Sequence, residues 1–151
     1  MDKLEAALAA HPLLTGLTPQ YLQMVAECAA MVNFSANQVI FSAGEGARHF
    51  YLVRFGRVAV QIHRPRRGPK TLYTLGEGDI LGTFWSEQEI EWFFDAQALE
   101  VTRAIALEFD CLKKLCDQNP ELGYELLRRF VWAQAKMLKQ LKLLLVDFYG
   151  A

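Results

Sequence analysis

Long apolar runs are missing from these 151 residues. No stretch approaches the roughly 18 apolar residues needed to cross a bilayer. The opening Met1-Asp2-Lys3-Leu4-Glu5 lacks the basic head and unbroken apolar core of a secretory signal, so a cytoplasmic chain is expected. Cysteine is scarce. Cys28, Cys111 and Cys116 are an odd number with no export signal, and reduced, mostly buried thiols are the expectation. Charge of one sign is also lacking. A net charge of −1 offers no field to recruit nucleic acid or an anionic membrane. His11, His49 and His63 are scattered, and Cys111 and Cys116 do not have the spacing of a zinc pair, so no metal is expected. There is no Gly-x-Ser-x-Gly, no Walker loop and no evident nucleophile beside a base, so neither enzymatic activity nor a resident cofactor is expected.

What is present is globular: 52% apolar and 22% charged residues, enough for one core in a single domain over 1–151. Residues 1–33 read as helix and turn. Thr18 is a natural N-cap, with Pro19 behind it and Leu22, Val25, Ala26 and Ala29 at helical spacing. From 34 to 109 the period falls to about 2. Short runs at Gln38–Phe41, Phe50–Val53, Arg57–His63, Thr71–Leu75, Ile80–Phe84, Ala96–Val101 and Ala104–Glu108 alternate with glycine-bearing turns, the pattern of a sandwich or rolled barrel. Residues 110–151 return to helix. Asp110 is placed to cap a short helix ending at Asn119, and Pro120 opens a long one.

That last helix carries Leu127, Val131, Gln134, Leu138, Leu141, Leu145 and Phe148 in alternating steps of four and three. A 3.5-residue period keeps two helices in register along a seam, and a polar Gln134 within it can fix that register. About 28 residues make a rod of about 42 Å, longer than a domain of this size needs to cover its own core. A homodimer through this helix is expected; an intramolecular lid is the alternative.

The order of these elements, with several short motifs, resembles the cyclic-nucleotide-binding domain family. Pro12-Leu13-Leu14-Thr15-Gly16-Leu17-Thr18 is similar to the family's N-terminal helical segment. Phe34–Phe41, Gly44-Glu45-Gly46, Tyr51-Leu52-Val53 and Gly56-Arg57-Val58 resemble its first strands. Leu75-Gly76-Glu77-Gly78-Asp79-Ile80-Leu81-Gly82 resembles the run into its phosphate-binding cassette, and Asn119-Pro120-Glu121-Leu122 the approach to the dimerisation helix of catabolite-activator-type regulators. The resemblance implies a mainly β fold with flanking helices: a double-stranded β-helix, or jelly-roll-like β-roll, followed by a long C-terminal helix.

It also locates a ligand pocket and exposes a gap in it. A cyclic phosphate in that fold needs an arginine and backbone N–H groups. Gly82 matches the cassette glycine, but Thr83 stands at the family's glutamate and Trp85-Ser86 at its Ala-Leu. The arginine position falls near Trp92, and no arginine or lysine occurs between Lys70 and Arg103. Losing the partner of a buried charge costs about 2–5 kcal/mol, a thirtyfold to several-thousandfold loss of affinity at about 1.4 kcal/mol per decade. Five aromatics crowd these eleven residues, Phe84, Trp85, Trp92, Phe93 and Phe94. With Leu75 and Leu81 they either fill the cavity or line a pocket for an uncharged or apolar ligand, and Met137 and Leu138 fall where the family's helix covers the base.

The basic turn from His63 to Lys70 and the cations Arg128, Arg129, Lys136, Lys139 and Lys142 read as solvated surface. The expectation is therefore a non-catalytic regulatory module that dimerises and acts on an unidentified protein partner. Cyclic nucleotide in the usual manner is not expected as its ligand. In family regulators a helix-turn-helix domain follows the long helix, and the sequence here runs to Gly150-Ala151, so direct DNA binding is not expected. The alternatives are a genuine receptor for cyclic AMP or cyclic GMP using backbone N–H groups at 82–85, and a structural dimer with no ligand.

Overall fold

A computed structural model describes residues 2–82 and 90–149, leaving the side chains of Ile90, Phe148 and Tyr149 outside that description. Two short helices come first. In α1 (Lys3–Ala10) the Asp2 carboxylate accepts from the Glu5 N–H, and in α2 (Pro19–Ala26) the Thr18 hydroxyl accepts from the Tyr21 N–H.

Among the described residues ten strands follow: β1 (Ala29–Phe34), β2 (Val39–Phe41), β3 (Gly46–Ala47), β4 (His49–Phe55), β5 (Val58–Arg64), β6 (Gly68–Leu75), β7 (Ile80–Leu81), β8 (Ile90–Glu91), β9 (Asp95–Ala98) and β10 (Thr102–Glu108). They form two four-stranded antiparallel sheets, ordered β1-β10-β4-β7 and β2-β9-β5-β6, with β3 pairing β8 at the side. The expected β-roll is the observed architecture.

Three boundaries differ from expectation. The first strand begins at Ala29 rather than beyond 33, because Ala29–Phe34 pairs residue for residue with Leu107–Thr102. β3 and β8 are two residues each, too short to leave a pattern. The helix α3 (Phe109–Gln118) starts before Asp110, with Glu108 at its N-cap and no side-chain cap bond; Asp110 lies in the first turn, where its charge still suits the helix dipole.

The last helix, α4 (Pro120–Tyr149), has 30 residues. One stripe faces its own domain: Leu122, Leu126 and Phe130 are buried, and Ala133 and Met137 half-buried. The first three join Leu8, Leu14, Leu22, Phe50, Leu52 and Ile105 in a core between the helices and the β1-β10-β4 sheet. A second cluster fills the space between the sheets: Phe41, Val58, Val60, Leu75, Leu81, Trp92 and Ala96.

The cysteines are not all free thiols. Cys28 and Cys111 form a disulfide, with Cα atoms 5.5 Å apart, and Cys116 is free and buried. This corrects the expectation of three reduced cysteines. Cys28 directly precedes β1 and Cys111 lies in the first turn of α3, just after β10, the partner of β1, so strand register brings near each other two residues 83 positions apart.

Candidate functional site

The interior of the roll is where the family resemblance places a ligand, and Trp92 occupies its centre. Its N–H donates to the Glu45 carbonyl at 2.8 Å and its own carbonyl accepts from the Gly44 N–H at 2.7 Å, which fixes the backbone. The indole, 7% exposed, stacks on Phe41 with centroids 3.8 Å apart and planes 5° from parallel. Phe94 meets both rings edge-on at 5.5 and 5.8 Å. Gly82 lies against the same indole. Its φ is +103°, and a Cβ there would come 2.7 Å from Trp92 Cη2 and 3.2 Å from Phe50 Cβ, so only glycine fits. The positions matched to the family's cassette glycine and arginine therefore touch, and the contact is apolar.

Leu75 and Leu81 are buried in this cluster, and Phe94 is half-buried against it. Phe93 does not line the pocket. It sits in the bend between β8 and β9, is 78% exposed and meets Phe94 edge-on at 5.2 Å. Thr83, Phe84 and Trp85 lie outside the described residues. Met137 reaches the cluster from α4, whereas Leu138 is 68% exposed and does not. Successive helix residues differ by about 100°, so the two cannot cover the same site. Phe41, the stacking partner, was missed as a site residue because nothing in a three-residue strand marks what it faces.

Two open grooves flank Met137. One, about 460 Å³, runs between α4 and the turn before β7, beside Pro12, Asp79, Arg129 and Trp132. The other, about 540 Å³, lies between β6 and the distal half of α4, beside Leu72, Tyr73, Leu75, Leu141 and Leu144.

A polar knot ties the N-terminal helices to both the turn and α4. His11 is buried at 4% exposure. Its Nδ1 accepts from the Leu13 N–H at 3.2 Å, which leaves the proton on Nε2 to donate to the Asp79 carbonyl at 3.3 Å. Arg129 donates to the carbonyls of Leu13 and Thr15 and to Glu125. Burial holds the His11 imidazole below its ordinary value of 6.5, against the opposing pull of Asp79. A second proton would set an N–H against the Leu13 N–H. The unfolded chain takes up that proton first, so stability is complete above about pH 6.5 and declines as pH falls below it. We expect the urea midpoint to drop between pH 7.5 and 5.5 more steeply in the native chain than in His11→Asn; equal slopes would exclude this role for His11.

The seam positions Leu127, Val131, Leu138 and Leu145 are exposed, and Gln134 and Leu141 partly so; the Phe148 side chain is outside the description. They lie about 100° around α4 from the stripe that packs on the roll. Among the described residues no helix is long and apolar enough to cross a membrane, and no group of three His, Cys, Asp or Glu is placed to hold a metal ion.

Two antiparallel sheets around an interior cluster, with a long helix packed against it, define the class of β-roll domains. Residues 31–119 match the cyclic nucleotide-binding domain, and the chain belongs to that family. It is similar in fold to a cyclic nucleotide-binding domain from Methylobacillus flagellatus KT, at 17% identity over 97% of this chain and 80% of that one, with a TM-score of 0.77. A putative cyclic nucleotide-binding protein from Geobacter metallireducens GS-15 gives 21% identity, 91% and 99% coverage and the same TM-score of 0.77. The catabolite activator protein of Thermus thermophilus gives 26% identity and a TM-score of 0.67, with 91% of this chain covering 63% of that one. No curated protein matches the sequence. The chain is a regulatory module by family.

Proposed function

We propose that this chain is a non-catalytic regulatory module that does not bind cyclic nucleotides in the family's usual manner and acts as a homodimer through the outer face of α4, on another protein rather than on DNA. The observation that carries the reading is Trp92, stacked on Phe41 and pressed against Gly82. An anion there would need a cation where the sequence supplies an indole, and would have to displace a packed ring. The exposed apolar face of α4 supports the dimer, because a row of leucines in water gains from burial against a second copy.

Calorimetry of the full chain with cyclic AMP and cyclic GMP tests the first half; no binding heat is expected, and micromolar affinity would overturn it. A nucleotide bound that tightly would have to recruit a cation from elsewhere. Arg64 on β5, whose buried Nε has no hydrogen-bond partner among the described residues, is the one to replace in a repeat titration. A second reading, a receptor for an uncharged apolar ligand, rests on the groove of about 540 Å³ between β6 and α4. Native mass spectrometry of freshly purified protein checks it, since such a ligand would travel with the chain.

A further inference from the structure

We propose that the Cys28–Cys111 bond is a thiol–disulfide switch, reduced by a dithiol of a small molecule or a reductase protein, that sets how firmly α3 holds the root of α4. This goes beyond the reading above and does not depend on it.

The position of the bond argues for it. Cys28 sits where α2 passes into β1, and Cys111 lies in the first turn of α3. Helix α3 leads into α4 across Asn119 alone and supports its first turns. A Cβ on Gly123 of α4 would come 3.0 Å from Cys116 Cβ and 3.2 Å from the Cys116 carbonyl, so the two backbones are in close contact there. The bond therefore fastens the element on which α4 rests. Other contacts keep the two sulfurs near each other when the bond is open. The Cys28 carbonyl accepts from the Glu108 N–H at 3.0 Å, and Ala29 pairs with Leu107, which extends the β1–β10 ladder to Cys28, three residues short of Cys111. Leu22, Val25, Leu107 and Leu112 pack in the same core whatever the sulfur oxidation state. A bond that opens without releasing its neighbours can close again by the reverse exchange, when the disulfide form of the dithiol takes the two electrons back. Where the surroundings reduce thiols, bonds of this kind are transient and responsive.

The third cysteine does not interfere. Burial, with the nearby Asp117 charge, pushes the Cys116 thiol up to about 11, so it stays protonated at neutral pH and is a poor nucleophile. Exchange is thus confined to one pair. A thiolate of the dithiol attacks Sγ of Cys111, the less buried partner, and forms a mixed disulfide. Cys28 leaves as a thiolate and takes a proton from water. The second thiolate of the dithiol then attacks its own sulfur in the mixed disulfide, releases Cys111 and closes its own ring. Two electrons pass from the dithiol to the protein.

Peptide mapping of the full chain without reductant, followed by hydrogen exchange of oxidised and dithiothreitol-treated protein, tests the proposal. We expect a Cys28–Cys111 cross-linked peptide with Cys116 free. On reduction, exchange across residues 109–130 should quicken by about tenfold, equivalent to about 1.4 kcal/mol, while residues 58–75 in β5 and β6 change little. Cys28→Ser with Cys111→Ser should exchange like the reduced chain and ignore dithiothreitol, and Cys116→Ser should keep the response. The native chain is itself the control should the double variant not fold. Free Cys28 and Cys111 in oxidising glutathione buffer would overturn the proposal. So would unchanged exchange in α3 and α4, or a rise spread evenly over the whole chain, which marks a structural staple.

Discussion

Trp92→Ala is expected to lower the stability of the folded chain by about 3–5 kcal/mol, the range for removing a large buried aromatic. The indole is almost wholly enclosed and contributes a face-to-face stack on Phe41 as well as its own burial. Aromatic pairs add roughly 0.5–1.5 kcal/mol beyond area, which places the expected loss in the upper half of that range. For a domain of this length that corresponds to roughly 6–20 °C in Tm. The hole left behind is lined by Phe41, Phe94 and the Gly82 backbone, all uncharged, so the variant should still give no heat with cyclic AMP. Phe93→Ala is the matched control. One residue along and exposed, it should change stability by no more than about 0.5 kcal/mol. Thermal melts of the two variants decide the matter. A Trp92→Ala chain as stable as Phe93→Ala would mean that the interior is not packed around the indole, and a variant that gains nucleotide affinity would mean that the ring merely blocks a working site.

That contrast also marks where the sequence stops being informative. The roll was legible because alternating runs and turn residues report a local property, the period of the chain. The replacement of a cation by an indole at position 92 was legible because it needs only alignment to a family pattern. The stack on Phe41 was not, since it joins residues 51 positions apart, one in β2 and one just after β8, and no local pattern encodes that meeting. The disulfide was hidden for the same reason: Cys28 and Cys111 meet only through the β1–β10 register. One misplacement was avoidable: Met137 and Leu138, successive on a helix, diverge by about 100°, so geometry already forbade counting both toward one pocket. Ala29 and Ala30, good helix formers, read as helix until a partner strand decided otherwise.

Leu138→Glu combined with Leu141→Glu is expected to convert a dimer into a folded monomer. Leu138 is exposed on the side of α4 that the roll leaves uncovered, and Leu141, partly exposed, stands at the edge of that side beside the groove between β6 and α4. The stripe that seals the domain, Leu122, Leu126, Phe130, Ala133 and Met137, is untouched, and the melting behaviour of the roll should survive. In a two-fold seam, however, the substitutions place four carboxylates close to the axis. Each uncompensated buried charge costs several kcal/mol, so association should weaken by at least about a thousandfold. Lys136, Lys139 and Lys142 flank these positions in sequence and can screen the new charges only at the rim, where ion pairs contribute little. Light scattering coupled to gel filtration, read beside circular dichroism, gives the answer. The monomer's mass with an unchanged helical signal supports the seam. The dimer's mass would refute it, and a monomeric native chain would assign the exposed leucines to some other partner. Met137→Glu sharpens the distinction, because a charge on the stripe that meets the roll, about 100° around the helix from Leu138, should damage the interior cluster while leaving the outer leucines free to pair.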